Sequence, residues 1–123
     1  MYRWTIIGGG IQGCTLAISL LKCGRVKPEQ MAVIDPYDEP LSNWKKIRNE
    51  SACLMKDLHW IHPLIEEEEL PCVECGFPVI SSNLEWTKGL YVMGALSELE
   101  IGPTARNISG AKTASHRIVS SIF

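Results

Sequence analysis

The chain lacks a long hydrophobic run and an excess of charge of either sign. The longest uncharged apolar stretch near the N-terminus is interrupted by glycines and stops short of the roughly 20 residues that span a bilayer. Ile11-Gln12-Gly13-Cys14 looks superficially like a lipoprotein cleavage site, but glycines stand where an export signal needs an apolar helical core. Twelve Lys and Arg face fourteen Asp and Glu, for a net charge of −2, so there is no electrostatic footprint for nucleic acid. Internal repeats and low-complexity linkers are absent, and so is any convincing trio of acid, base and nucleophile. Cysteine is not scarce, but its number is odd. Five thiols without an export signal read as reduced side chains rather than a disulfide framework, and the expected location is the cytoplasm.

What is present suits one small domain. The 123 residues are 46% hydrophobic and 21% charged, enough for one modest core. The chain is organised around Trp4-Thr5-Ile6-Ile7-Gly8-Gly9-Gly10-Ile11-Gln12-Gly13. Four residues of strand character enter a G-x-G-x-x-G spacing at Gly8, Gly10 and Gly13, and an apolar helical stretch follows. Gly8 permits the tight strand-to-helix turn, Gly10 lets a pyrophosphate approach the backbone, and Gly13 lets the helix pack closely on the strand. The free N–H groups and dipole at the helix start favour phosphate charge. A second strand, Met31–Ile34, ends at Asp35, 22 residues after Gly13, where a dinucleotide-binding βαβ unit places its ribose-binding carboxylate.

Taken in order, the first helix is predicted over Ile11–Lys22, with Ile11, Cys14, Ile18 and Leu21 on its buried face and Ala17 and Leu20 widening it. Gly24 is a natural end cap. The β-α-β order implies parallel strands and a right-handed crossover. Asp35–Pro40 is turn-like, and Leu41–Ile47 is a candidate short helix. It carries Trp44, which suits either an anchoring core position or a cover over adenine. Ala52–Trp60 has helical character, and Glu66–Glu69 is a like-charge block expected at a solvated loop or helix end. Strands are expected at Phe77–Ile80 and Leu90–Met93. A last helix is expected from Pro103 to about Ser120, buried through Ala105, Ile108, Ala111, Ala114 and Ile118. The organisation expected is a single minimal domain: a βαβ half over 1–50, a poorly defined connection over 51–71 and a strand–helix half over 72–123.

The two ends together resemble the FAD-binding domain of two-dinucleotide-fold flavoproteins, and more closely the FAD/NAD(P)-binding oxidoreductases related to lysine and ornithine N-hydroxylases. The likeness rests on Trp4–Gly13, on Val33-Ile34-Asp35-Pro36, on Cys75-Gly76-Phe77-Pro78-Val79-Ile80 and on Gly89-Leu90-Tyr91-Val92-Met93-Gly94-Ala95. It covers about four-fifths of the chain, residues 1–50 and 72–120. The resemblance implies a small α/β, Rossmann-like three-layer domain with a short parallel sheet, in which the last strand lies beside the first. It implies FAD, or NAD(P) on the same fingerprint, held by Gly8, Gly10, Ile11, Gln12, Gly13, Asp35, Pro36, Trp44 and Gly94. Gly102, Pro103 and Thr104 would lie at the flavin end, where the Pro103 helix would point its N-terminus at the ring and Arg106 and Asn107 would begin that helix. Two departures stand out. The family's Gly-Asp at the end of the last strand is Gly94-Ala95 here, so a carboxylate contact to the cofactor is lost. The family's long middle, with its nicotinamide and substrate regions, is missing around 51–71. A sheet stripped of that cover is expected to pair with a second copy, most simply as a two-fold dimer, or with another subunit. A non-enzymatic remnant or assembly module is the alternative.

One further constellation competes. His59, His62, Cys72 and Cys75 form H-x2-H and C-x2-C pairs with nine residues between them, a set chemically suited to tetrahedral zinc although not at a common finger spacing. Cys72 and Cys75 could also form a redox C-x-x-C pair. His116, late on the last helix, is expected to be solvated.

Overall fold

The computed structural model describes residues 1–36, 38, 59–74 and 76–123. Strand β1 (Trp4–Ile7) leads through the glycine turn into helix α1 (Ile11–Lys22), and a 3-10 turn at Pro28–Gln30 brings the chain back as β2 (Met31–Ile34). The two strands are parallel, with Trp4 opposite Met31 and Ile7 opposite Ile34. This β-α-β unit has the expected bounds because each part is set locally: an alternating strand, a glycine break, and Cys23–Gly24 ending the helix, Gly24 at φ +74°. Later come α2 (His62–Glu67), β3 (Glu85–Thr87), β4 (Leu90–Tyr91), a 3-10 turn at Gly94–Ser97, α3 (Glu98–Ile101) and α4 (Ile108–Ile122). The result is a small mixed α/β fold with a short parallel pair.

Several expectations are corrected. The last strand does not lie beside β1. It is a two-residue strand that pairs antiparallel with β3 in a separate hairpin. Lys88-Gly89 forms its turn, with Gly89 at φ +82° and its N–H donating to the Glu85 carboxylate over 2.9 Å. Phe77–Ile80 makes only an isolated bridge, Pro78 with Cys72. The last helix begins at Ile108 rather than Pro103, because Asn107 caps it: its Oδ1 accepts the Gly110 N–H at 3.0 Å. Ile108, at the first helical position, is 49% exposed, while Gly110 and Ser115 join Ala111, Ala114 and Ile118 on the buried face. On α1 the buried residues are Gly13 and Leu20, and Ile18 is 53% exposed. The glutamate block closes α2, as a helix end. The segment 41–47 and most of 52–60 lie outside the described residues.

Three apolar clusters hold these pieces together. Ile6, Leu20 and Val26 pack with Trp4, Leu16, Ala17, Met31 and Val119, joining the parallel sheet to α1 and α4. Leu84, Ala114 and Ile118 form a second cluster that shares Leu16. Ile61, Leu70, Trp86 and Val92 form a third, linked to the second through Ile80. The Trp86 indole N–H donates to the Pro71 carbonyl at 2.7 Å, so this large ring is buried with its polar edge satisfied. Helices α1 and α4 run side by side in the same direction. Gln12 reaches Asn107 near their starts, and the Ser19 and Ser115 hydroxyls meet at 3.1 Å further along. A third layer over the opposite sheet face is not seen among the described residues: there Ile7 is 68% and Ile34 57% exposed.

Candidate functional site

The glycine turn is built by a close approach. A Cβ on Gly13 would fall on the carbonyl oxygen of Gly8 and press on the Ile6 side chain. Only glycine therefore lets α1 start this near β1. Gly8 itself sits at φ +101°, a backbone state that glycine takes freely. Gly10, the N-cap of α1, behaves differently: a Cβ there would point into open space. The cap has no side-chain hydrogen bond, and the first turn of α1 carries no acid. Among the described residues no acidic side chain of α1 itself serves these N-terminal N–H groups, and the space beside Gly10 is open in the direction of a Cβ.

Asp35 stands at the carboxyl end of β2, and its Oδ2 accepts the Gly9 N–H at 2.6 Å. This bond ties the glycine turn to the end of the second strand. Gly9 is buried, and its absent Cβ leaves ordinary contact distance to Asp35. The motif spacing gives Gly9 no role, because only the first, third and sixth positions are specified. Its part here is to offer an N–H to the acid. The Cys14 thiol closes the turn from the helix side, donating to the Gly9 carbonyl at 3.2 Å.

The structure brings the later candidates to the same end of α1. The Gln12 amide Nε2 donates to the carbonyls of Ala105 at 2.9 Å and Asn107 at 3.4 Å. Gly94, at φ +64°, lies against the Gln12 side chain, and a Cβ on it would be 3.3 Å from Gln12 Cγ. The Ser97 hydroxyl, fully buried, donates to the Gly94 carbonyl at 2.9 Å and holds this turn in place. Gly102 ends α3 at φ +90°, and Pro103 and Thr104 are exposed in the turns leading to Asn107.

Other candidates fall elsewhere. Asn107 is the cap of α4, not the first turn of a Pro103 helix. Arg106 holds the Glu98 carboxylate at 2.8 Å on the surface. Pro36 follows Asp35 and is exposed, Ile11 is partly buried at the head of α1, and His116 is exposed on α4. Trp44 and Cys75 lie outside the described residues. Among the described residues no three His, Cys, Asp or Glu side chains converge as a metal site. Burial pushes the Cys72 thiol up from its ordinary value, which disfavours the thiolate that both metal binding and thiol exchange require. No helix among the described residues is long and apolar enough to cross a membrane.

Sequence reasoning missed the Gln12 side chain. The position was expected to serve through its place in the glycine motif, and nothing local signals that its amide reaches across to residues 105 and 107. No family model, no curated protein and no solved structure matches the chain.

Proposed function

We propose that the chain is a Rossmann-like dinucleotide-binding protein of flavoprotein type, with FAD as its cofactor and NAD(P) as the variant the same fingerprint allows. In this reading the pyrophosphate lies over Gly10 against the N–H groups of Ile11, Gln12 and Gly13. The Asp35 carboxylate, placed at the end of the second strand, takes a ribose hydroxyl, and the segment from Gly102 to Thr104 approaches the flavin end. Bound flavin would supply the redox chemistry. The chain's own part is to bind and orient it.

The observation that carries this reading is the pair of glycines with opposite surroundings. Gly13 is forced by a backbone contact, while Gly10 faces open space at an uncapped helix start with Asp35 tethered beside it. The first test is a visible absorption spectrum of the purified protein with FAD added. The expected result is a perturbed flavin spectrum and quenched flavin fluorescence, both lost in Gly10→Val, whose side chain would fill the phosphate space. A protein that binds neither FAD nor NAD(P) at high concentration overturns the reading. It would favour the second one, a non-enzymatic assembly module.

That second reading has its own observation. The last strand is turned away into a hairpin, and Gly94-Ala95 offers no acid. In either case we propose that two copies pair through the sheet face bearing Ile7 and Ile34.

A further inference from the structure

We infer that the Gln12 side chain is a positioning device that couples the glycine turn to residues 102–107, so that a phosphate held on the turn also orders that segment. The inference rests on the dinucleotide reading for its ligand, but the link itself stands on the ligand-free structure.

Gln12 belongs to both regions at once. Its backbone N–H lies in the first turn of α1, where no preceding helical carbonyl serves it. Its side chain leaves α1 and ends on two carbonyls more than 90 residues away in sequence, Ala105 and Asn107. Both are acceptors, so the amide orientation is fixed by chemistry: the nitrogen faces the segment and Oε1 faces away. That oxygen is buried and, among the described residues, has no hydrogen-bond partner. A hydrocarbon side chain of the same length would avoid this orphaned acceptor. What glutamine alone provides here is the donor.

Besides Gln12, the segment is held by the buried Ala105, by the Arg106–Glu98 ion pair and by its own backbone turns. Ala105 N–H bonds back to Gly102 and Asn107 N–H to Thr104, two successive turns with no helix or strand. Asn107 in turn caps α4. A Cβ on Gly110 would fall on the Thr104 carbonyl, so α4 starts hard against the turn that Gln12 grips. Fixing Gln12 therefore fixes the turn and the head of α4. By linkage, whatever orders the turn also favours the ligand on Gln12's side.

The test is residue-resolved amide hydrogen exchange on the full chain, with Gln12→Met and Gln12→Glu. Both replacements nearly fill the glutamine's volume, and neither can donate at neutral pH. Without ligand, exchange at Ala105 and Asn107 should quicken about tenfold in both variants, while Val92, whose N–H bonds to the Leu84 carbonyl in the hairpin, reports that the fold is intact. Unchanged protection at Ala105 and Asn107 would mean that Gln12 only fills space, and overturns the inference. Inorganic pyrophosphate is then added to the unmutated protein. Shifts at Ile11–Gly13 with slowed exchange at Ala105 and Asn107 support the coupling. Shifts at Ile11–Gly13 alone overturn the coupling and leave the dinucleotide reading standing, whereas no response at either place overturns both.

Discussion

Gly10 and Gly13 are three residues apart, and a methyl group would mean different things at each. At Gly13 it meets the Gly8 carbonyl, which is backbone and cannot swing aside, so α1 must lift from β1 and loosen Leu20 from Ile6. Overpacking of this kind costs about 1–3 kcal/mol. At Gly10 the methyl meets nothing, and the backbone there is at an ordinary φ of −77°. Gly13→Ala should therefore lower the thermal midpoint clearly, while Gly10→Ala should leave it nearly unchanged. Differential scanning calorimetry of the two variants checks this. A Gly13→Ala protein as stable as the parent would show that the strand and helix are not in this close contact. The close approach at Gly13 is legible in the sequence because it depends only on neighbours within the motif. Gln12 is not legible there, because its partners are set by how the far end of the chain folds back.

At the scale of elements, the first β-α-β unit has the bounds that its local signals set. The strand, turn, helix and second strand over residues 4–34 each carry their own signals. The elements that differ do so for two reasons: a likeness set the place of the last strand, and local signals competed at the start of the last helix. Lys88-Gly89 between Glu85-Trp86-Thr87 and Leu90-Tyr91 is a two-residue hairpin connection. The likeness treated Gly89 instead as the entrance to a strand beside β1. At the last helix two local signals compete: Pro103 suits a first helical turn, but Asn107 caps the helix through its side chain. The shift of start also explains the stripe: with the helix opening at Ile108, that residue falls in the exposed first turn while Ser115 turns inward. Asn107→Ala should cost about 1 kcal/mol, read as a lower urea midpoint with unchanged slope. Asn107→Asp, which keeps the acceptor oxygen, should recover most of it. Equal stability of Asn107→Ala and the parent would place the start of α4 elsewhere.

For the molecule as a whole, the uneven covering of its sheet matters most. Trp4, Ile6 and Met31 are packed under α1 and α4 on one face. The alternation of side chains sends Ile7 and Ile34 to the other, opposite each other in register and more than half exposed. These two adjacent, exposed aliphatic side chains are the apolar centre that the proposed pairing would cover. A two-fold axis through this face would set Ile7 and Ile34 of one copy on the same residues of the other, which is the self-complementary contact a symmetric dimer uses. The pairing proposed above predicts twice the mass of one chain by light scattering at micromolar concentration. Ile7→Lys with Ile34→Lys should return the chain to the mass of one copy while the far-ultraviolet circular dichroism stays the same, because neither side chain contributes to the buried clusters. A parent chain that scatters as a single copy across that concentration range sinks the dimer.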